Sequence, residues 1–502
     1  MIIDVNGHFG ARLNPAPDAP LADLVGQATR HGVEITLAHH LDAIHVDPAR
    51  GNRLALEAAA DPGNRLRAIA VVAPYRVELL EPDLDALIQS GAVGFRLAVE
   101  TREWFHGGLV RLIRSSAMRR LLDALARAGR PLLVPISAWG EATDVGEVTA
   151  GLGIPVILTG SHYVHAIDDT EALLRFPHLY LETSRLAHFG AIEAVVAAAG
   201  AERLLYGSES PTRCLASSRN AVLAAEIDEP AKRAILRGNA ERLFGLPHRA
   251  FDIPAPTLPS GAVDVHAHYN PSPWNIPQLT AAELAPAFAR LGIAANVASS
   301  ALGILHDNEA GNEQAAAAAA NAATGQYSYL AADPWDLDRT RSMLRRWGTT
   351  EGVVGVKVHA QQFGMNTRDP RMADLFDILA DHGRPVKIHN EGDGWDEALL
   401  AIGRRHPRLP IIVAHSGLGA PSLEAARIAA ASDNIHIEMA SSFASRSMVR
   451  EVVRTTPRER ILFGTDAPLL NPAYIMGTYL DGGIEADETG VFSGRARELF
   501  GI

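Results

Sequence analysis

The chain repeats itself once with an offset of about 256 residues, so whatever fold it adopts it must adopt twice. Ile3-Asp4-Val5-Asn6-Gly7-His8 lines up with Val263-Asp264-Val265-His266-Ala267-His268, and each segment opens its half. Gly51-Asn52, a helical stretch and Val72-Ala73-Pro74 return as Gly311-Asn312, another helical stretch and Ala332-Asp333-Pro334. Gly91-Ala92-Val93-Gly94-Phe95-Arg96 returns as Gly352-Val353-Val354-Gly355-Val356-Lys357. Arg203-Leu204-Leu205-Tyr206-Gly207-Ser208-Glu209 returns as Arg460-Ile461-Leu462-Phe463-Gly464-Thr465-Asp466, and the stretch from Gly238 to Gly245 as Gly494 to Gly501. Matches in one order point to duplication or to fusion of related domains. Pro247, Pro254, Pro256 and Pro259 interrupt any helix or central strand between the halves. The expected organisation is one domain over 1–246, a proline-rich linker over 247–262 and a second domain over 263–502.

Length agrees, since 502 residues exceed the usual single-domain size. Hydrophobic residues make up 47% and charged residues 21%, which supplies apolar material for two cores. Lys and Arg are scattered and the net charge is −12, which argues against nucleic acid or an anionic membrane as partner. Cys214 is the single cysteine, so any metal must be held by His, carboxylate or Lys, and a reducing compartment fits. Residues 1–6 read as a strand without signal-peptide features, and no run of about 18 uncharged apolar residues appears. The expected location is the cytoplasm.

Short apolar runs alternate with longer amphipathic segments in each half. In the second half, strands are expected at 263–266, 327–332, 353–359, 386–389, 411–415, 435–439 and 461–464, with helices at 315–323, 370–382 and 423–431. This alternation implies a parallel sheet covered by helices. About 240 residues of it suits one (β/α)8 barrel, so the expected α/β fold is two TIM-like barrels in tandem. A doubly wound open sheet produces a similar local pattern.

Polar residues able to bind metal fall at the C-terminal ends of those strands: His266 and His268, then Lys357 and His359, then His389, His415 and Asp466. In a barrel these ends converge on one face. His266 and His268, two apart on an extended strand, point to one side and can share an ion. Imidazoles plus a carboxylate, with one position left for water, are what a catalytic zinc-type centre requires. Such an ion acidifies bound water and polarises a carbonyl or phosphoryl oxygen, with Asp466 as ligand and proton acceptor. Each residue also has an ordinary reading. An HxH pair occurs in strands without metal, Lys357 could run its stem through the core to solvent or an acidic neighbour, His389 and His415 could be hydrogen-bonded core histidines, and Asp466 could cap the next helix. The metal reading rests on all of them falling at strand ends in order.

These segments resemble the amidohydrolase superfamily, in particular its compact metal-dependent hydrolases and related decarboxylases, across the whole second half. Residues 263–268 are similar to the opening strand motif. Gly355-Val356-Lys357-Val358-His359, then Asp369-Pro370 and Arg384-Pro385-Val386-Lys387-Ile388-His389, resemble the central portion. Ile412-Val413-Ala414-His415-Ser416-Gly417 and Phe463-Gly464-Thr465-Asp466-Ala467-Pro468 resemble the last two site-bearing strands. The resemblance implies His266, His268, His389 and Asp466 around one divalent ion, Zn2+ in the first place, with His415 a second-metal ligand or a catalytic histidine facing substrate. Lys357 stands where two-metal relatives carry a bridging carboxylated lysine, which keeps two ions open; one is favoured because the compact branch that the chain resembles often makes do with one. Asp466, His415 and Lys357 are then the catalytic candidates. His359, Glu391 and Trp395 are candidates for contacting substrate.

The first half departs from this pattern: Asn6 replaces His266, Pro135 replaces His389, Gly160 replaces His415 and Arg96 replaces Lys357, while His8 and Glu209 remain. Proline and glycine side chains offer no donor, so a non-catalytic first barrel is expected. His162, His165 and His188 near its strand ends are structural or build an unrelated site. Such a barrel could cover a face that relatives bury in a partner subunit, and a homodimer is also open to the chain. The expected activity is hydrolysis of an amide, lactam, lactone or ester bond of a small molecule by metal-activated water. One alternative is metal-dependent decarboxylation of a small aromatic or unsaturated acid, for which Trp274, Trp335, Phe363 and Trp395 would line a flat pocket instead of packing loops. Another is a non-catalytic small-molecule binder.

Overall fold

The chain divides into two compact units, Met1–Pro256 and Thr257–Ile502. The structure, a computed structural model, describes residues 1–11, 19–74, 84–99, 112–269, 273, 277–390, 393–417 and 420–502. In the first unit eight parallel strands follow one another in chain order: β1 (Ile2–Phe9), β2 (Val33–His40), β3 (Leu66–Val72), β4 (Ala92–Leu97), β5 (Leu132–Pro135), β6 (Val156–Thr159), β7 (Leu179–Glu182) and β8 (Leu204–Leu205). The amides of Val5 and His8 donate to the carbonyls of Tyr206 and Ser210 at 2.9 and 3.0 Å, closing the last strand onto β1.

The second unit repeats the plan with β9 (Ala262–Tyr269), β10 (Ile293–Ser300), β11 (Gln326–Ala331), β12 (Val353–His359), β13 (Val386–His389), β14 (Ile411–Val413) and β15 (Ile435–Ile437). Its eighth stave is the segment 461–463, bridged to Ile437 on one side and joined to β9 on the other by the Val265 amide, 2.9 Å from the Phe463 carbonyl. Sequential order and closure make both units (β/α)8 barrels and exclude the open doubly wound sheet.

Expected strands at 353–359 and 386–389 coincide with β12 and β13, and the helix expected at 370–382 is Pro370–His382. Elsewhere the boundaries move for local reasons. β14 stops at Val413 because His415 turns into the left-handed region at φ 59°. The helix expected at 315–323 starts at Asn308, where the Asp307 side chain accepts the Ala310 amide, and ends at Ala318. Ala262, expected in the linker, begins β9. No helix among the described residues is long and apolar enough to cross a membrane.

Corresponding clusters fill the lower layer of both barrels. Ile3, Val5, Leu37, Ile69 and Leu205 pack with Ala240 and Phe244 in the first, and Val263, Val265, Val297, Tyr329 and Leu462 pack with Ala496 and Phe500 in the second. That leaves the C-terminal strand ends for polar groups.

The repeated Gly-Asn pair has a geometric cause. The helix Asn308–Ala318 passes so close to Ala301–Leu305 that a Cβ on Gly311 would fall 2.1 Å from Gly303 Cα, and one on Gly51 would fall 2.1 Å from the Ala43 nitrogen. The approach lets Asn312 accept from the Ala331 amide at 2.7 Å and donate to its carbonyl at 2.9 Å, while Asn52 treats Val71 the same way at 2.7 and 2.9 Å. Each side chain thus bonds both the amide and the carbonyl of one buried strand residue, and the Ala331 carbonyl also accepts from Asn308 Nδ2 at 2.9 Å. Asn312→Ala is expected to destabilise the chain by about 1–3 kcal/mol, because it strands the buried Ala331 amide while the Ala331 carbonyl keeps its bond from Asn308. Gly311→Ala is expected to cost about 1–3 kcal/mol by overpacking. Denaturant unfolding measures both, and an unchanged midpoint for Asn312→Ala would remove this account.

Candidate metal centre

Three donor atoms meet at the C-terminal end of the second barrel. His266 and His268 project from β9 with their Nε2 atoms 3.2 Å apart. Asp466 follows the eighth stave and brings Oδ1 to 3.3 Å from His266 Nε2 and 3.1 Å from His268 Nε2. A left-handed turn at φ 61° delivers it, with its amide 2.6 Å from the His266 carbonyl. The next helix, Pro472–Gly482, is capped by Asn471, so the cap reading of Asp466 does not apply.

The protonation pattern suits a cation. His266 Nδ1 lies 2.8 Å from Glu438 Oε1, an ionised acceptor, so the ring proton sits on Nδ1 and Nε2 is left with its lone pair. His268 Nδ1 meets the Ser299 hydroxyl at 3.0 Å. Burial, helped by Lys357 and Lys387, holds the His266 imidazole neutral well below its ordinary pKa, and burial lowers His268 against the pull of Asp466. Burial by itself would raise Asp466, but its hydrogen bond with His268 and the charges of His415, His268 and Lys357 bring it down to about 2. Neutral imidazoles and an ionised carboxylate are the forms that ligate metal. Zinc ligands at about 2.0–2.1 Å in a tetrahedral arrangement lie about 3.3 Å from one another, so the donor spacing here fits that ion.

The other expected residues surround this triad. Lys357, on β12, is buried with Nζ 3.1 Å from His266 Nε2, and burial and then Lys387 lower its amine to about 7. His415 donates its Nδ1–H to the Ala440 carbonyl at 2.7 Å, leaving Nε2 as the acceptor, and its ring centroid lies 4.9 Å from those of both His266 and His389. His389 stacks on His359 with centroids 4.1 Å apart at 14°, and neither tight donor group among the described residues includes it. Trp395 is buried behind the His415 turn, where a Cβ on Gly417 would fall 2.5 Å from its ring. Trp335 is exposed and donates its indole N–H to the Phe363 carbonyl at 2.6 Å, which ties two loops together. Glu391 and Trp274 lie outside the described residues.

Glu438 was not anticipated. It stands just beyond β15, wholly buried, and accepts from His266 Nδ1, Lys387 Nζ at 3.0 Å, the His415 amide at 2.8 Å and the Ala440 amide at 2.7 Å. Burial would raise its pKa, but Lys387, His415 and the two amides keep it below the ordinary value. The available signal was an acid closing an otherwise apolar strand, Ile435-His436-Ile437-Glu438, matched by Leu179-Tyr180-Leu181-Glu182 in the first half.

The first barrel assembles its matching positions differently. Glu209 has the left-handed conformation of Asp466, at φ 52°, but is clasped by Arg185 Nε at 3.0 Å and Arg213 Nε at 2.7 Å. His8 Nε2 lies 2.5 Å from the Thr212 hydroxyl, and His165 Nδ1 lies 2.9 Å from Asp169. Among the described residues no three metal donors converge there. Glu182 accepts from the Ser184 amide and hydroxyl, both at 2.7 Å, and from the Gly160 amide at 3.1 Å. Leu133 stands where the second barrel has Lys387, and burial, with Glu209 beside it, raises Glu182 to about 7.

The sequence profile of the amidohydrolase family matches residues 152–246 and 263–502, about two thirds of the chain. The chain therefore belongs to the amidohydrolase family of enzymes. No functionally curated protein matches it. Among solved structures it is similar to a 2,6-dihydroxybenzoate decarboxylase from Rhizobium, at 18% identity over 48% of this chain and 99% of that one, with a TM-score of 0.37. It is also similar to a protein of Pseudomonas putida assigned as a 2-pyrone-4,6-dicarboxylic acid hydrolase, at 20% identity over 49% and 98% of the two chains, TM-score 0.38. A zinc-bound amidohydrolase from Burkholderia multivorans aligns at 17% identity over 49% and 100%, TM-score 0.39.

Two stability predictions follow from the paired acids. Lys387→Met leaves Glu438 without its cation and is expected to cost about 3–5 kcal/mol in denaturant unfolding, with part recovered in Lys387→Met/Glu438→Gln; a double variant no better than the single one would contradict the pairing. Glu182 has a folded pKa of about 7 against 4.5 unfolded, so its protonated form favours folding at low pH and that contribution is lost as pH rises through about 7. Glu182→Gln should therefore gain up to about 3 kcal/mol relative to the parent between pH 5 and pH 8. Parallel unfolding curves at the two pH values test it, and an unchanged difference would rule it out.

Proposed function

We propose that the second barrel, over 263–502, is a metal-dependent hydrolase that uses water to cleave a C–N or C–O bond (amide, lactam, lactone or ester) of a small molecule, and that the first barrel, over 1–246, is a non-catalytic copy. The observation that carries this reading is the convergence of His266 Nε2, His268 Nε2 and Asp466 Oδ1 within 3.1–3.3 Å. These three would hold one divalent ion, with His389 at the end of β13 completing the ligand set; nitrogen and oxygen donors of this kind suit Zn2+. When bound, such an ion supplies Lewis acidity, polarising a substrate oxygen and acidifying water.

The protein's own groups do the rest. Glu438 orients the His266 ring and keeps its proton on Nδ1. Asp466 accepts a proton from the attacking water and returns it to the leaving group. His415, with Nε2 left as the acceptor, is placed to hold a second proton or a substrate hydroxyl, and Lys357 contributes a donor deep in the same space. One ion is favoured over two because the second donor group, His266, His415 and Glu438, is already engaged by the hydrogen bonds that Glu438 accepts.

Metal analysis of the intact chain is expected to find about one ion per chain. His266→Ala should lose it, with turnover of a responsive amide, lactam, lactone or ester falling at least about 10³-fold. A His266→Ala chain that keeps its ion and its activity would sink the assignment. Release of carbon dioxide instead of acid and amine or alcohol would keep the site and change the reaction to decarboxylation.

A further inference from the structure

The second barrel holds, at its strand ends, a nitrogen that its own fold leaves unused. His359 ends β12 two residues after Lys357, so both side chains leave the same face of the strand and the imidazole stands one step nearer the strand end than the amine. Its Nδ1 is buried and has no hydrogen-bond partner among the described residues. Buried polar atoms are as a rule paired, so an unmatched one beside a cluster of metal donors points to a group that the protein does not itself supply.

Ring contacts tie His359 to the donor triad. Its ring lies nearly parallel to that of His389, with centroids 4.1 Å apart at 14°. His389 meets His415 edge-on at 4.9 Å, and His415 lies 4.9 Å from His266. An arc of four imidazoles therefore runs from the cation-binding donors to the end of β12. The groups whose charges act most strongly on His359 are His389, Lys357, His268 and His415, all of them nitrogen bases. A nitrogen in such company is matched best by oxygen, and by an anionic oxygen most of all. The stack on His389 holds the ring in one plane, which gives the unused atom a direction.

We propose that His359 binds a carboxylate of the substrate that lies apart from the bond to be cleaved, so that the second barrel selects small molecules carrying such a group. With its proton on Nδ1, the imidazole donates to one carboxylate oxygen. Lys357, one step deeper on the same strand face, stays with the reacting end of the molecule, its Nζ 3.1 Å from His266 Nε2. Selection of this kind rests on the ion proposed above, which fixes the reacting end and so decides what reaches His359.

Calorimetric titration of the full chain, loaded with Zn2+, tests this with acetate, malonate and succinate as probes. All three offer one carboxylate to the ion, and only malonate and succinate offer a second to His359. The zinc-loaded parent is expected to bind at least one of these two about tenfold or more tighter than acetate. His359→Phe keeps a ring to stack on His389 and removes both nitrogens. It should load zinc and bind acetate as the parent does, while the dicarboxylate falls to the acetate level. A purely structural role, met by a ring of either kind, would leave every affinity unchanged. The proposal is overturned if the zinc-loaded parent binds neither dicarboxylate better than acetate, if the advantage survives in His359→Phe, or if His359→Phe loses zinc or weakens acetate and dicarboxylate alike. A parent chain that takes up no zinc overturns the metal-dependent reading as well.

Discussion

The second barrel's site depends on one buried carboxylate. Glu438 carries a charge where water cannot reach, and such a charge persists only when every lone pair is used. Lys387 supplies the opposite charge, the His415 and Ala440 amides supply two further donors, and His266 supplies the fourth. From this follow the features that matter for chemistry. The His266 proton is pinned to Nδ1, its Nε2 turns toward His268 and Asp466, and the chain after Val413 leaves the strand at the one place where the His415 amide can reach the carboxylate.

The same constraint explains a repeated motif that conservation of metal ligands would not. Gly207 and Gly464 lie against the buried acids: a Cβ would fall 2.2 Å from Glu182 Oε2 in one barrel and 2.8 Å from Glu438 Cγ in the other. The next residue, Ser208 or Thr465, gives its amide to Asp4 or Asp264 at 3.1 and 3.0 Å and directs its hydroxyl to the same carboxyl. The residue after that turns left-handed and presents Glu209 or Asp466 to the mouth. Gly-Ser-Glu and Gly-Thr-Asp are thus one device: clearance for a buried acid, a tie to the first strand, then a carboxylate at the strand ends. The first barrel has the device without three converging metal donors among the described residues.

That division describes what could be read from the amino acids. Barrel architecture was legible because the repeat, the alternation and the strand-end histidines are properties of spacing, and spacing survives folding. His266, His268 and Asp466 converge because a closed parallel barrel brings strand ends together whatever lies between. Glu438 and Lys387 were harder to see because their importance comes from pairing across β13 and β15, and nothing in either segment announces the other. His415 was placed on an extended strand, since a left-handed residue before Ser-Gly has no periodic signature. Trp395 illustrates the converse: a large aromatic near a site is equally well explained by packing, and its ring does lie against the backbone of Gly417.

The two barrels therefore differ in the charge state of the buried acid at the end of their seventh strand. Replacing Lys387 with Leu133 removes the cation that keeps the β-strand acid ionised, so Glu182 drifts toward its protonated form and ceases to be a strong partner for any imidazole. Replacing His266, His389 and His415 with Asn6, Pro135 and Gly160 removes the lone pairs that a cation needs. The carboxylate in Asp466's position, Glu209, is instead clasped by Arg185 and Arg213. The first barrel therefore sets a neutral acid and a clasped carboxylate at the strand ends where the second sets an ionised acid and three donor atoms 3.1–3.3 Å apart.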